Sequence, residues 1–138
     1  MEIVKQKHNM GCGIACVASV VEDSYDNVLK RCKSPQNAFE IGFYMPELKR
    51  LLKLYGKGNY SFRKYSLCYN KYLQKNGTII FIKKSKIYPC GHYLNKIDEG
   101  WMNPWINCPI ISPLRAGIDT SIKESMVDYI LFENDQIL

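Results

Sequence analysis

The 138-residue chain is 46% hydrophobic and 23% charged, the balance of a globular protein long enough to bury one core without staples. It contains no internal repeat, low-complexity tract or linker, and no stretch approaches the roughly 18 consecutive apolar residues of a membrane span. The net charge of +6 comes from lysines spread along the chain, with one small cluster at Lys83, Lys84 and Lys86. A solvated basic surface is therefore preferred to a nucleic-acid face, which the charge still permits.

Residues 6–11 are polar and loop-like and tighten around Gly11 and Gly13. An apolar run of small residues follows, predicting a buried helix over 12–22 with Cys12 in its first turn. Asp23-Ser24 makes a turn with an N-cap. A second helix over 24–32 presents Tyr25, Val28 and Leu29 on one face. Residues 33–42 read as a loop around Pro35. A third helix is predicted over 45–55, with Pro46 in its first turn, a stripe of Leu48, Leu51, Leu52 and Tyr55, and Gly56 as its stop.

The second half changes character. Residues 60–66 alternate weakly as a strand, and 69–75 suit a short helix. Asn76-Gly77 is a turn into a β-rich central strand over 78–83. A hairpin follows, with a strand over 91–98, a tight turn at Glu99-Gly100 and a return over 101–105. Residues 106–125 read as irregular, and 128–133 close the chain as an edge or central strand. Helices followed by antiparallel strands predict a single α+β domain over residues 1–138.

Six cysteines suit three disulfides, but only in an exported chain. Residues 13–21 form a short apolar run behind a basic start. Gly11 and Gly13 interrupt its front and no leucine-rich segment builds up, so it does not read as a signal peptide. Gly13 also stands where a lipoprotein cysteine at position 16 would require a large aliphatic residue. A cytoplasmic protein with reduced thiols is expected.

The chemistry centres on Cys12. A thiol at a helix start lies near the positive end of the helix dipole and beside free N–H groups, and both favour the thiolate. His92, just after Gly91, supplies an imidazole on a strand. Asn103, on the return strand of the same hairpin, has an amide oxygen able to accept the ring N–H. Trp105 lies two residues on and is expected to shield that bond. Gln6 precedes Cys12 by six positions and is a candidate side-chain donor to an oxyanion, alongside the Cys12 backbone N–H. Gly11, Gly91 and Trp105 are expected to border the substrate. Cys16 suits core packing, with a redox partnership as its alternative, and His8 suits a surface loop. A zinc site built from Cys12, Cys16, Cys90 and His92 competes, but the spacings on a helix start and a strand match zinc ligand pairs poorly. No metal or cofactor is expected.

Gln6 followed by Cys12-Gly13-Ile14-Ala15-Cys16, then Gly91-His92-Tyr93, then Trp101-Met102-Asn103-Pro104-Trp105, resembles the papain-like cysteine peptidases. Within them it is most similar to the bacteriocin-leader-processing group, which cuts after a double glycine. The resemblance implies a papain-like fold, with Cys12 as nucleophile, His92 as base, Asn103 as orienting residue and Gln6 as oxyanion donor. A Cys-Gly-x-Cys arrangement with the second cysteine reactive would select Cys16, whereas the glutamine spacing of the family selects Cys12. The chain departs from that group at Gly11 and Asn103, where aspartates are common. In bacteriocin exporters such a domain precedes a membrane transporter and an ATPase, neither of which this sequence contains. The chemistry therefore carries over more directly than the leader-peptide substrate.

Three functions are compatible with these residues. The first is a thiol-dependent hydrolase acting on peptide or isopeptide bonds. The second is the same thiol used as a deamidase, acyltransferase or toxin-type effector, and the third is a non-catalytic binding domain or a nucleic-acid-acting toxin on the same scaffold. A peptide or protein substrate is expected as an extended strand. Residues 33–43 and 84–90 should flank it, with Phe39, Phe43 and Tyr88 as aromatic walls and Lys84 and Lys86 as a basic rim.

Overall fold

The computed structural model describes residues 1–135. Three helices come first: α1 (Cys12–Val21), α2 (Tyr25–Lys30) and α3 (Met45–Leu54). Six strands follow: β1 (Tyr60–Lys64), β2 (Ile79–Ile82), β3 (His92–Ile97), β4 (Gly100–Asn103), β5 (Gly117–Asp119) and β6 (Val127–Glu133). They form one sheet in the order β1-β6-β2-β3-β4-β5, antiparallel throughout. The architecture is α+β, as the sequence predicts. Among the described residues no helix is long and apolar enough to cross a membrane.

Helix α1 is apolar on every side and is buried from Gly13 to Val20. A helix of that kind belongs inside a protein. It packs on the sheet with α2 and α3 beside it, in a core that includes Ile14, Val17, Leu48, Leu51, Ile79, Met102 and Leu131. Its one polar residue in that stretch is satisfied: Ser19 Oγ donates to the Glu2 carbonyl at 2.6 Å and accepts from Asn95 Nδ2 at 3.1 Å. Gly13 permits the closest approach, because a Cβ there would lie 3.0 Å from Leu48 and 3.2 Å from Tyr93. The helix carrying Cys12 is thereby pressed against the strand carrying His92.

The opposite face of the sheet is also covered. Ile80, Leu94, Trp101, Ile130 and Phe132 form a second core with Tyr72 and Leu73. This explains the unbroken Ile79-Ile80-Phe81-Ile82: a strand covered on both faces needs apolar residues at every position. Tyr72 and Leu73 come from a 3₁₀ segment, Leu67–Gln74, where the sequence suggested a short helix. A second 3₁₀ turn, Pro35–Ala38, interrupts the predicted loop.

Two other expectations are refined. Strand β6 is interior, between β1 and β2. Residues 106–125 are not wholly irregular, since Gly117–Asp119 pairs with β4 as the edge strand β5. Three residues with a glycine and an aspartate carry no alternation to read; the register with β4 creates this strand.

Strand β3 begins at an abrupt corner. Gly91 has φ +77°, and a Cβ there would collide with the Phe81 ring and lie 2.8 Å from the Ile82 carbonyl oxygen. The corner aims His92 and requires glycine. Gly91→Ala is expected to cost about 2–3 kcal/mol, measured as a shift of the urea midpoint at unchanged m-value.

Candidate active site

Cys12 is the first residue of α1, with Gly11 as N-cap. Gly11 is buried against the Tyr25 hydroxyl, in space that a Cβ would fill. The preceding loop is held from two sides. His8 Nδ1 lies 3.0 Å from Tyr25 Oη, its ring packs on Phe39 at 4.1 Å between centroids, and Met10 N–H donates to the Ala38 carbonyl. His8 is thus a bracing residue of the loop, beyond the plain surface role its sequence context suggested.

His92 and Asn103 are both almost fully buried, and His92 Nε2 lies 2.7 Å from Asn103 Oδ1. The hydrogen bonds around Asn103 determine its orientation. The Trp105 backbone N–H can only donate, and it meets Oδ1 at 3.0 Å. The Asp119 carboxylate accepts, and it meets Nδ2 at 2.9 Å; Nδ2 also donates to Tyr88 Oη at 3.0 Å. Both ends of the amide are saturated, so a flipped amide would set oxygen against carboxylate. Oδ1 therefore faces the ring and His92 carries its proton on Nε2. That leaves Nδ1 as the basic nitrogen.

The Tyr88 ring lies over the imidazole, with centroids 4.3 Å apart and planes 5° from parallel. The residue covering His92 is thus Tyr88. Trp105 contributes its backbone N–H to Asn103, while its indole N–H is tied to the Ile110 carbonyl at 2.8 Å. Phe43 is not a cleft wall: it is buried in the helical core, and its carbonyl accepts from the Tyr93 hydroxyl. Phe39, Lys84 and Lys86 are exposed.

The sulfur of Cys12 lies against β3. Crowding around it withdraws the thiol from water and pushes its pKa up to about 11, although the residue keeps part of its surface exposed. The backbone N–H groups of Tyr93, Gly13 and Cys12 itself oppose this, and the nearby Cys108 adds to it. Helix-start effects are worth about 0.3–1 kcal/mol. A rise from the ordinary thiol value to about 11 corresponds to roughly 3 kcal/mol. Desolvation wins, so the thiolate that the helix-start position suggests is not the resting form. Burial likewise lowers His92 to about 4, against the raising effects of Asn103 and Asp119. At neutral pH the site holds a neutral thiol and a neutral imidazole.

Gln6 is buried and docked beside the Asn103-Pro104 turn by its backbone N–H, which donates to the Pro104 carbonyl at 3.3 Å. Its side-chain N–H₂ donates to the carbonyls of His8 and Asn9 at 2.9 and 3.2 Å, while Oε1 has no partner among the described residues. Serving an oxyanion requires that amide to release or share one of these bonds. Cys16 is fully buried in the helical core. Among the described residues no cluster of three or more His, Cys, Asp or Glu is arranged to hold a metal ion, and Cys12, Cys16, Cys90 and His92 do not gather as one. Sequence reasoning missed Asp119 and the Tyr88 hydroxyl. Asp119 left one trace, as the only carboxylate between residues 100 and 123.

Neither a protein-family model nor the sequence of a characterised protein matches the chain. Among solved structures, it is similar to the peptidase domain of Streptococcus ComA, a bi-functional ABC transporter involved in a quorum-sensing pathway. The match has a TM-score of 0.56 at 17% identity and covers 98% of each chain. At that identity the likeness is one of fold: the chain has the α+β fold of a papain-like peptidase domain.

The shifts predict two pH responses. The folded chain protonates His92 only near pH 4, while an unfolded chain does so near 6.5. The unfolded state binds more protons in that window, so stability falls as pH drops from about 6.5 to 4, by on the order of 3 kcal/mol. His92→Gln should flatten this limb in urea titrations. Alkylation of Cys12, followed by peptide mapping, should climb about tenfold per pH unit from 7 to 10. A thiolate paired with an imidazolium at rest would instead give a plateau.

Proposed function

We propose that the chain is a cysteine peptidase, a thiol-dependent hydrolase of peptide or isopeptide bonds. The observation that carries this reading is the buried His92–Asn103 hydrogen bond, whose geometry leaves Nδ1 as the free nitrogen on the strand against which the Cys12 sulfur lies. A papain-like fold supports it. A binding module has no need for a thiol, an oriented imidazole and a saturated amide together.

From the neutral pair, the reaction runs by general-base catalysis. As the Cys12 sulfur attacks a carbonyl carbon, its proton passes to His92 Nδ1, and Asn103 Oδ1 holds the N–H on the far side of the growing imidazolium. The carbonyl oxygen takes up negative charge near the Cys12 backbone N–H, which the helix leaves without an internal partner. Gln6 is the second donor once its amide swings from the loop carbonyls. The imidazolium then protonates the leaving amine, and water attacks the resulting thioester with His92 again as base. The extended substrate passes Gly91, whereas Gly11, buried against the Tyr25 hydroxyl, and the largely buried Trp105 do not border it as the sequence suggested.

Cys12→Ala should abolish haloacetamide or epoxide labelling at position 12, read by peptide mapping because the exposed Cys68 and Cys90 also react, together with hydrolysis of a peptide library. Cys16→Ala should keep most of both. His92→Ala should lower hydrolysis by about 10²–10⁴-fold, and Asn103→Ala by less, since that amide takes no proton. Loss of labelling in a folded Cys16→Ala variant would move the nucleophile to position 16. Mass analysis of treated protein substrates separates chain cleavage from deamidation or acyl transfer.

A further inference from the structure

Strand β5 brings a carboxylate to the far side of Asn103. Asn103 pairs with Gly117 and Trp101 with Asp119 across β4 and β5, so Asp119 is diagonal to Asn103 on the same face of the sheet. Its Oδ2 takes one Nδ2 proton at 2.9 Å, while Oδ1 at the other end of the amide lies 2.7 Å from His92 Nε2. A carboxylate bonded to an amide N–H is a charge-assisted acceptor, and it polarises the amide so that its oxygen accepts more strongly.

We propose that Asp119 is a positioning residue of this site: through the Asn103 amide it fixes the His92 ring in its Nε2–H form and supplies the negative charge that steadies the imidazolium. Amide and carboxylate then form an ordered pair, amide beside the ring and carboxylate behind it. Proton balance is simple: the Cys12 proton goes to His92 Nδ1, and none leaves Asn103 or Asp119. The order also explains why the residue next to the ring is an asparagine. A carboxylate at 103 would lie at hydrogen-bond distance from the one at 119, and two such groups cannot both ionise.

The titratable groups facing this pair are His92 from β3 and Tyr88 from the loop before it, with Cys12 and Cys108 beyond Tyr88. None of these carries a negative charge at neutral pH that would replace Asp119 in its role. The inference rests on the thiol-hydrolase reading for its catalytic meaning, but the orientation of the ring can be measured without catalysis.

The test compares Asp119→Ala, Asn103→Asp and the exchanged pair Asn103→Asp/Asp119→Asn with the unaltered chain. Cys12 alkylation by a haloacetamide is followed across pH, and ¹⁵N imidazole spectra report the His92 tautomer and pKa. Asp119→Ala should slow alkylation near neutral pH about tenfold and turn a single Nε2–H tautomer into a mixture. Asn103→Asp should be slower still. The exchanged pair should recover at least tenfold over Asn103→Asp and raise the His92 pKa by about one unit or more, since a charge then touches the ring directly. If Asp119→Ala does not fold, isosteric Asp119→Asn gives the charge-only test, lowering the His92 pKa. Alkylation within twofold of the unaltered chain, with an unmoved tautomer, would overturn the proposal, as would an exchanged pair no faster than Asn103→Asp. Failure of the unaltered chain to hydrolyse any peptide would count against the peptidase reading alone, because the imidazole spectra judge Asp119 independently.

Discussion

The burial of α1 against β3 is the constraint from which the site follows. A helix with apolar residues all round can be stable only when enclosed, and enclosure requires sheet on one side and α2 and α3 on the others. Ser19 and Asn95 hydrogen-bond across that interface, and Gly13 removes the side chain that would keep Tyr93 away. The N-terminus of α1 has no freedom left once these contacts form. The thiol at its first position is carried to the start of β3 by packing.

The same enclosure sets the electrostatics. Shielding the sulfur from water outweighs three backbone donors, and shielding the ring outweighs an amide and a carboxylate. Both groups are held in their uncharged forms by one cause. Under the proposed chemistry, a substrate that accepts charge on its carbonyl oxygen would supply what the resting site lacks.

Much of the fold was legible because it rests on local patterns. The stripe of Leu48, Leu51 and Leu52, Pro46 at the start of α3 and Ser24 as cap of α2 are features of consecutive residues, and the elements they predict are present. Of the candidate set Gln6, Cys12, His92 and Asn103, the hydrogen-bonded His92–Asn103 pair could be picked out through the hairpin that joins them. What stayed hidden depends on tertiary placement. Strand β5 exists only by pairing with β4, so Asp119 had no visible partner. Phe43 could be buried or exposed with equal local plausibility, and the direction of the Cys12 shift depends on neighbours from distant parts of the chain. Gly91 was legible as a small residue beside His92; the reason for it, Phe81 and the Ile82 carbonyl beneath a left-handed corner, was not.

The raised Cys12 thiol has a consequence for the protein's survival in an oxidising milieu. Peroxide reacts with thiolates, and the first product, a sulfenic acid, leads on to irreversible acids. A thiol held in its protonated form presents little of the vulnerable species. Cys68 and Cys90, by contrast, stand exposed on the surface. Oxidant therefore meets these exposed sulfurs first, and the burial that keeps Cys12 protonated also shelters it.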